Sequence, residues 1–130
     1  MTKQELENRL IDFAVDVIKL AESLPGNAIG RYFTGQITRS GTSPALNYAE
    51  SQSAESRKDF VHKLKIVVKE LRETLVALKI LNRIELSPGK EDLSKLISEN
   101  NELISIFVKS VETASNNDKL LHQKSKIVNH

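Results

Sequence analysis

Apolar residues recur along this chain in steps of three and four, which is the spacing of one face of an α-helix. In the first segment this apolar seam consists of Leu6, Leu10, Phe13, Val17, Leu20 and Leu24. Thr2 and Glu5 have the spacing of a capping box, in which each side chain bonds the backbone of the other residue. A helix is therefore predicted to start after Thr2, and Pro25-Gly26 is predicted to end it.

The third and fourth segments repeat the seam. Ser56 can cap the third segment, whose seam consists of Phe60, Leu64, Val67, Leu71, Thr74, Leu78 and Leu81. The fourth begins near Glu91-Asp92, acids that stabilise a helix N-terminus, and continues with Leu93, Leu96, Asn100, Leu103, Phe107, Val111 and Ala114. Asn100 thus occupies a seam position, where a buried asparagine fixes the register of packing at a cost in stability.

The second segment, residues 27–53, is the weakest helix by intrinsic propensity. It contains three glycines and Pro44, yet its apolar residues still return at near-helical spacing. We predict one long helix that is kinked or briefly broken around Gly41–Pro44, with two shorter helices as the alternative. Asn47 and Glu50 are expected to satisfy backbone groups freed by the kink.

Four helical segments joined by short turns predict an all-α fold, an antiparallel up-and-down four-helix bundle. Residues 1–114 are predicted to form this bundle as one domain. The periodicity is lost after residue 114. Residues 115–130 are therefore predicted to be a C-terminal extension, either a frayed continuation of the last helix or a disordered tail.

The composition points to a cytoplasmic protein. The chain of 130 residues has no cysteine, so it can form neither disulfides nor thiolate metal sites, which fits a reducing compartment. Charged residues are spread through the first twenty positions, unlike in a signal peptide. No run of about 18 apolar residues exists that could cross a membrane, and no membrane partner is expected.

Positive charge is concentrated in the third helix. Residues 54–83 carry a net charge of +4, whereas the first segment carries −2 and the fourth −3. On a helical wheel, six cations fall within an arc from about 60° to 140° beside the apolar face. This cation stripe, which extends about 37 Å along the helix, consists of Lys58, Lys65, Lys69, Arg72, Lys79 and Arg83.

Such a row can follow the phosphate backbone of a nucleic acid. The alternative interpretation is that long cationic side chains cover the border of a buried face with their aliphatic stems.

A second pattern in the sequence bears on the association of subunits. Ile11, Val15 and Ile18 form an apolar row outside the seam of the first helix, so apolar residues cover over half of its circumference.

We predict that this α1 row binds another copy of the chain. The alternative is that the tail or another helix of the same chain covers this row.

The sequence contains no arrangement of residues that indicates an enzyme. Asp59-x-x-His62 is similar to one half of a di-iron motif, but such sites need two motifs and further inward glutamates. We predict no catalytic residue, no metal site and no cofactor.

Four short motifs carry a family resemblance: Arg39-Ser40, Asn47-Tyr-Ala-Glu-Ser51, Lys58-Asp-Phe60 and Glu70-x-x-Glu-Thr74. They resemble the motifs of the four-helix-bundle family encoded by intervening sequences within bacterial 23S ribosomal RNA genes. The resemblance covers residues 29–82. The sequence departs from the family pattern in having Tyr48 for isoleucine and Ser51 for glycine, and the second change alters a helix end.

The resemblance implies an antiparallel four-helix bundle that forms a ring-shaped homo-oligomer, a pentamer. The chain is also distantly similar to the accessory protein of diversity-generating retroelements, a basic pentameric bundle that binds nucleic acid and a reverse transcriptase. No catalytic role comes with the motifs. We therefore expect a non-catalytic homo-oligomer that binds structured RNA or another nucleic acid through the cation stripe. The alternative is a protein-interaction or assembly scaffold that binds no nucleic acid.

Overall fold

The computed structural model describes the backbone of residues 1–86 and 89–128 and the side chains of residues 1–86, 89–117, 120 and 123. It contains four helices: α1 (Lys3–Ser23), α2 (Ala28–Gln52), α3 (Arg57–Ile84) and α4 (Lys90–Val128). Each helix packs against its neighbours along the chain, and α4 also contacts α1, which closes the bundle. This architecture confirms the predicted all-α four-helix bundle.

Side-chain caps fix where the helices begin. The N–H of Glu5 donates to Thr2 Oγ1 at 3.0 Å, and the N–H of Thr2 donates to Glu5 Oε2 at 3.0 Å. This reciprocal pair confirms the capping box at the start of α1. Ser56 Oγ accepts the N–H of Asp59 at 3.0 Å in α3, as predicted. The caps satisfy amide donors that have no partner within the first turn of a helix.

The helix α2 runs without a break through Pro44, which confirms one long helix over the alternative of two shorter ones. The kink predicted around Gly41–Pro44 stays a prediction. Small residues let α2 approach α1. Gly41 is buried, and a Cβ built on it would lie 2.6 Å from Val17 Cγ1. Tertiary packing therefore outweighs the low helix propensity of this segment.

The core is formed by the predicted seams. Its largest fully buried apolar side chains are Leu10, Phe13, Val17, Ile37, Val67, Leu71, Leu78, Leu81, Leu93, Leu103 and Phe107. Asn100 is also fully buried. In the amide orientation that satisfies both partners, its nitrogen donates to the carbonyl of Leu71 at 3.0 Å and its oxygen accepts the N–H of Leu75 at 3.1 Å. These two hydrogen bonds thus fix the register in which α4 packs on α3.

The last helix is the longest, with 39 residues. Its contribution to the core reaches Ala114. Beyond that residue the backbone stays helical to Val128, so residues 115–128 of the predicted extension continue α4. Residues 129–130 of that extension lie outside the described residues.

We predict that Gly41→Ala destabilises the fold by about 1–3 kcal/mol, because the new methyl group would collide with the β-branched side chain of Val17. Gly35 in the same helix is the matched control, since a Cβ there meets nothing within 4 Å. Gly35→Ala should instead stabilise by about 1 kcal/mol through helix propensity. Urea denaturation measures both changes. An equal gain from the two substitutions would contradict the close approach at Gly41.

Candidate nucleic-acid interface

The cation stripe lies on the surface of α3, and all six of its side chains are exposed. It begins at Lys58 in the first turn and ends at Arg83 in the last. Lys63, Glu70 and Glu73, which bind residues of α2, occupy a different part of the helical wheel. The stripe is therefore directed away from α2.

None of the six stripe cations forms an ion pair with any side chain that the structure describes. Two acids in the middle of α3 bind a cation of α2 instead. Glu70 and Glu73 both bind Arg39 of α2, at 3.1 and 2.6 Å. The chain therefore presents a row of positive charge along α3, and such a row attracts polyanions.

Other cations of the chain hold the helices together. Arg9 of α1 binds Glu99 of α4 through two hydrogen bonds of 2.8 and 2.7 Å, and its guanidinium lies 2.7 Å from Glu102. The bonds to Glu99 and then Glu102 raise the pKa of Arg9. Lys63 Nζ lies 2.8 Å from Glu50 and joins α3 to α2. These cations have structural partners, whereas the stripe cations bind no acid among the side chains that the structure describes.

The predicted interface residues of α1 are open to solvent. Ile11, Val15 and Ile18 keep 45%, 41% and 36% of their surface exposed. No described part of the same chain buries them, although the seam of the same helix is buried. The arrangement leaves a partly exposed apolar row on an otherwise amphipathic helix.

The chain matches the family model described as 23S rRNA-intervening sequence protein over residues 2–109. It belongs to this family. A solved structure of a protein with unknown function from the S23 ribosomal protein family of Bacteroides thetaiotaomicron is similar, with a TM-score of 0.78 and 29% sequence identity. The likeness covers 86% of this chain and 99% of that one. No curated protein matches the chain.

The motifs shared with the intervening sequence family join α2 to α3. Arg39 binds Glu70 and Glu73, and Gln36 Nε2 donates to Glu73 Oε1 at 2.9 Å. The Arg39 guanidinium lowers the pKa of Glu73. Thr74 Oγ1 donates to the carbonyl of Glu70 at 2.8 Å. Arg39 of the Arg-Ser motif and the Glu-x-x-Glu-Thr motif thus have structural roles here.

A third family motif corrects an expectation. Pro44 has no N–H, so it deprives the carbonyl of Ser40 of its helical donor. Asn47 Nδ2 instead donates to the carbonyl of Ser43 at 3.0 Å. Glu50 binds Lys63 and no backbone group. The expectation that both side chains satisfy groups freed at Pro44 is therefore wrong, because Glu50 is drawn to a cation on α3.

His62 of the half di-iron motif is exposed. Among the side chains that the structure describes, no group of three His, Cys, Asp or Glu residues could hold a metal ion. A groove of about 760 Å³ lies between α1 and α4, and its charged rim mixes acids with lysines. None of the helices described has the length and apolarity of a membrane span.

A second exposed apolar surface was not predicted from the sequence. Val76, Ile80 and Ile84 of α3 are 57%, 41% and 48% exposed. Their spacing of four residues places them on one side of the helix, next to the C-terminal half of the cation stripe. That spacing could have revealed the row in the sequence. The row was overlooked because the buried seam and the cation stripe are the stronger patterns in α3. Apolar side chains therefore border the C-terminal half of the cation stripe.

Proposed function

We propose that this member of the intervening sequence family is a non-catalytic homo-oligomer that binds structured RNA or another nucleic acid through the cation stripe. The observation that carries the proposal is the contrast among its cations. Arg9, Arg39 and Lys63 each bind carboxylates of a neighbouring helix. The six stripe cations are exposed and bind no described acid, so they are available to phosphates.

The aromatic residues support a folded nucleic acid as the ligand. Proteins that bind single strands stack bases on exposed aromatic rings. This chain has two tyrosines, four phenylalanines and no tryptophan, and of their described side chains only that of Tyr32 is exposed. A straight row of cations without stacking platforms suits contacts to the backbone of a duplex, which position the ligand without reading its sequence.

Assembly would strengthen such contacts. Each neutralised phosphate releases condensed counterions, so affinity rises steeply with the number of cations that act together. One subunit supplies six stripe cations, and a pentamer would supply about thirty. The exposed apolar row on α1 supports association of subunits, because large apolar side chains in a row are rare on a monomer surface.

The first test reverses the charge of Lys65, Lys69 and Arg72 to glutamate together. We expect the wild type to bind a labelled RNA hairpin with an affinity that falls about 10³-fold between about 50 and 200 mM salt if one stripe makes six contacts. The triple variant should bind far more weakly, with a slope of log affinity against log salt that is shallower by about 2 to 3. Fluorescence anisotropy over a salt series measures both quantities.

The matched control reverses Lys3, Arg31 and Lys109, which are exposed cations on the three other helices. It makes the same change in net charge away from the stripe and should keep most of the affinity. Light scattering confirms that each variant has the wild-type mass. If the stripe variant binds like the wild type, or the control loses as much affinity, the stripe is not the binding site.

A protein-interaction scaffold is the second candidate. The apolar side chains of Val76, Ile80 and Ile84 beside Lys79 and Arg83 favour it, since mixed apolar and cationic surfaces are common at protein interfaces. The two candidates differ in one simple observation. A nucleic-acid-binding protein should carry nucleic acid through purification and lose it in a high-salt wash, as its ultraviolet absorbance ratio would show. A scaffold should carry none at either step.

A further inference from the structure

The outer side of the α2–α3 pair changes character along its length. In the middle of the pair, Arg39 lies 2.6 Å from Glu73, and Gln36 donates to the same carboxylate at 2.9 Å. Within the described ranges 28–35 of α2 and 74–84 of α3, no side-chain hydrogen bond or ion pair joins the two helices. The polar contacts between α2 and α3 therefore end at Gln36, and a different surface begins there.

Exposed apolar side chains replace the polar contacts beyond Gln36. On α2 they precede Gln36 by four and seven residues, and on α3 they follow Glu73 by three, seven and eleven residues. Such steps keep them on the side of each helix that carries the polar contacts. Because the two helices are antiparallel, both groups lie toward the same end of the bundle. This apolar face consists of Ile29, Tyr32, Val76, Ile80 and Ile84, which are between 41% and 64% exposed.

The two halves of the apolar face lie side by side. Gln36 contacts Glu73, so each turn earlier on α2 lies level with a turn later on α3. Tyr32 therefore lies at about the level of Ile80, and Ile29 lies one turn beyond it. The face extends about 12 Å along α3. It lines both sides of the groove that two packed helices leave between them.

The α2 border of this groove has little side-chain bulk. Ala28 and Gly35 are both exposed there, and a Cβ built on Gly35 would meet nothing within 4 Å. The backbone of an incoming segment can therefore come close on this side. A groove lined by apolar side chains is the kind of site in which an amphipathic helix lays its apolar face.

The α3 border of the groove is basic. Lys79 and Arg83 lie beside the apolar face, and both are exposed and bind no acid among the described side chains. The acids nearest to them are already paired. Glu73 lies 2.6 Å from an arginine of α2, and Glu85 lies 3.2 Å from a lysine of α4. A partner with carboxylates along one flank of its apolar side chains would therefore complement this border.

We propose that the apolar face binds an amphipathic helix of another protein, whose acidic flank meets Lys79 and Arg83. A lipid surface is a poorer match. A helix that lies in a membrane interface carries a wide apolar side and cations over its polar side. Here the apolar side chains are shared by two helices, and free cations border them only on α3. This inference takes up the second candidate function and names the chemistry of the partner.

The proposal divides the cation stripe between two ligands. On the helical wheel Val76 falls at about 120°, inside the arc of the stripe. It separates Lys79 and Arg83 from the four stripe cations that precede it. Those four lie outside the apolar face, so they stay accessible when the partner helix is bound. The proposal therefore holds whether or not they bind RNA.

The first step of the test selects peptides from a displayed library against the wild-type protein. The peptides have about 18 residues, or five helical turns. Leucine occupies one helix face, and each flanking position is randomised among glutamate, lysine and glutamine. We expect the selection to enrich glutamate over lysine on at least one flank. Enrichment of lysine instead, or the failure of any peptide to bind, would overturn the proposal.

The second step measures the affinity of a selected peptide by fluorescence anisotropy. Ile80→Glu should weaken binding at least about tenfold, since it places a carboxylate among apolar contacts. Ile80 is 41% exposed, so the substitution spares the core, and circular dichroism confirms the helicity of each variant. Leu46→Glu is the matched control, because Leu46 is 64% exposed on α2 outside the face. It should keep the affinity, and an equal loss from both substitutions would remove the face as the binding site.

The charge of the partner is tested by exchange. Lys79→Glu combined with Arg83→Glu should weaken binding of the glutamate-flanked peptide and strengthen binding of a copy whose flanks are lysine. Such an inversion of preference is not expected from a general loss of structure. If the double variant ranks the two peptides as the wild type does, the basic border does not recognise the partner.

Two further measurements identify other occupants of the face. If Ile80→Glu lowers the mass of the protein in light scattering, the face is covered by a second copy of this chain. If the wild type sediments with anionic lipid vesicles and Ile80→Glu does not, the ligand is a lipid surface. Either result overturns the proposal.

The nucleic-acid proposal is separated from this one by the labelled RNA hairpin. The protein with Ile80→Glu should still bind the hairpin, because the four preceding cations are unchanged. The combined reversal of Lys65, Lys69 and Arg72 should still bind the peptide. Failure of the stripe as an RNA site would thus appear with the hairpin alone, and failure of the apolar face with the peptide alone. Loss of peptide binding in the triple reversal would contradict the division of the stripe.

Discussion

Replacing Phe107 with alanine is expected to lower the free energy of unfolding by about 3–5 kcal/mol. Phe107 is fully buried, and its ring meets that of Tyr48 edge to face, with 5.4 Å between the centroids. The pair links α4 to α2 across the centre of the bundle. Truncation removes buried apolar surface and leaves a cavity that rigid helices cannot close. Urea denaturation followed by circular dichroism measures the loss.

Two further variants separate the sources of that loss. Phe107→Leu keeps most of the volume and should cost less than about 1.5 kcal/mol. A double-mutant cycle with Tyr48→Ala should show a coupling of about 0.5–1.5 kcal/mol from the ring contact. A loss below about 1 kcal/mol for Phe107→Ala would show that the centre of the bundle collapses around the missing ring.

The core was predictable because helical periodicity alone assigns a residue to the inner or outer side of a helix. Leu10, Phe13 and Phe107 were all placed correctly in this way. The continuity of α2 was harder to predict, since its glycines and Pro44 oppose helix formation. What outweighs them is the contact of Gly41 with Val17, and that contact depends on which helix lies opposite. Intrinsic propensity carries no such information.

The exposure of the cation stripe was also predictable, because six residues on one arc of a wheel share their environment. The ion pairs that the other cations form with neighbouring helices were not predictable from the sequence. Arg9 and Glu99 are 90 residues apart, so their pairing depends on α1 and α4 being neighbours. The exposed apolar side chains of α3 were missed for a related reason. Exposure of Val76 and Ile80 follows only once the packing of α3 on α2 and α4 is known.

Asn100→Asp is expected to destabilise the fold by about 3–4 kcal/mol at pH 7 and by little below about pH 4. Burial raises the pKa of a carboxyl group, so the folded variant binds a proton more tightly than the unfolded chain does. Its stability relative to the wild type therefore falls as pH rises above the unfolded pKa of about 3.9, by about 1.4 kcal/mol per pH unit. The fall stops once pH passes the raised pKa.

The small loss of stability expected for Asn100→Asp at acidic pH follows from the geometry around residue 100. A protonated carboxyl group can donate to the carbonyl of Leu71 and accept the N–H of Leu75, as the amide does at 3.0 and 3.1 Å. Asn101→Asp, next to it on the exposed side, adds the same charge and should change stability by less than about 0.5 kcal/mol at either pH. Urea denaturation at pH 4 and pH 7 measures the free energy of unfolding of both variants. An equal loss for Asn100→Asp at pH 4 and pH 7 would mean that the donor geometry of the amide, and not the buried charge, holds α4 in register.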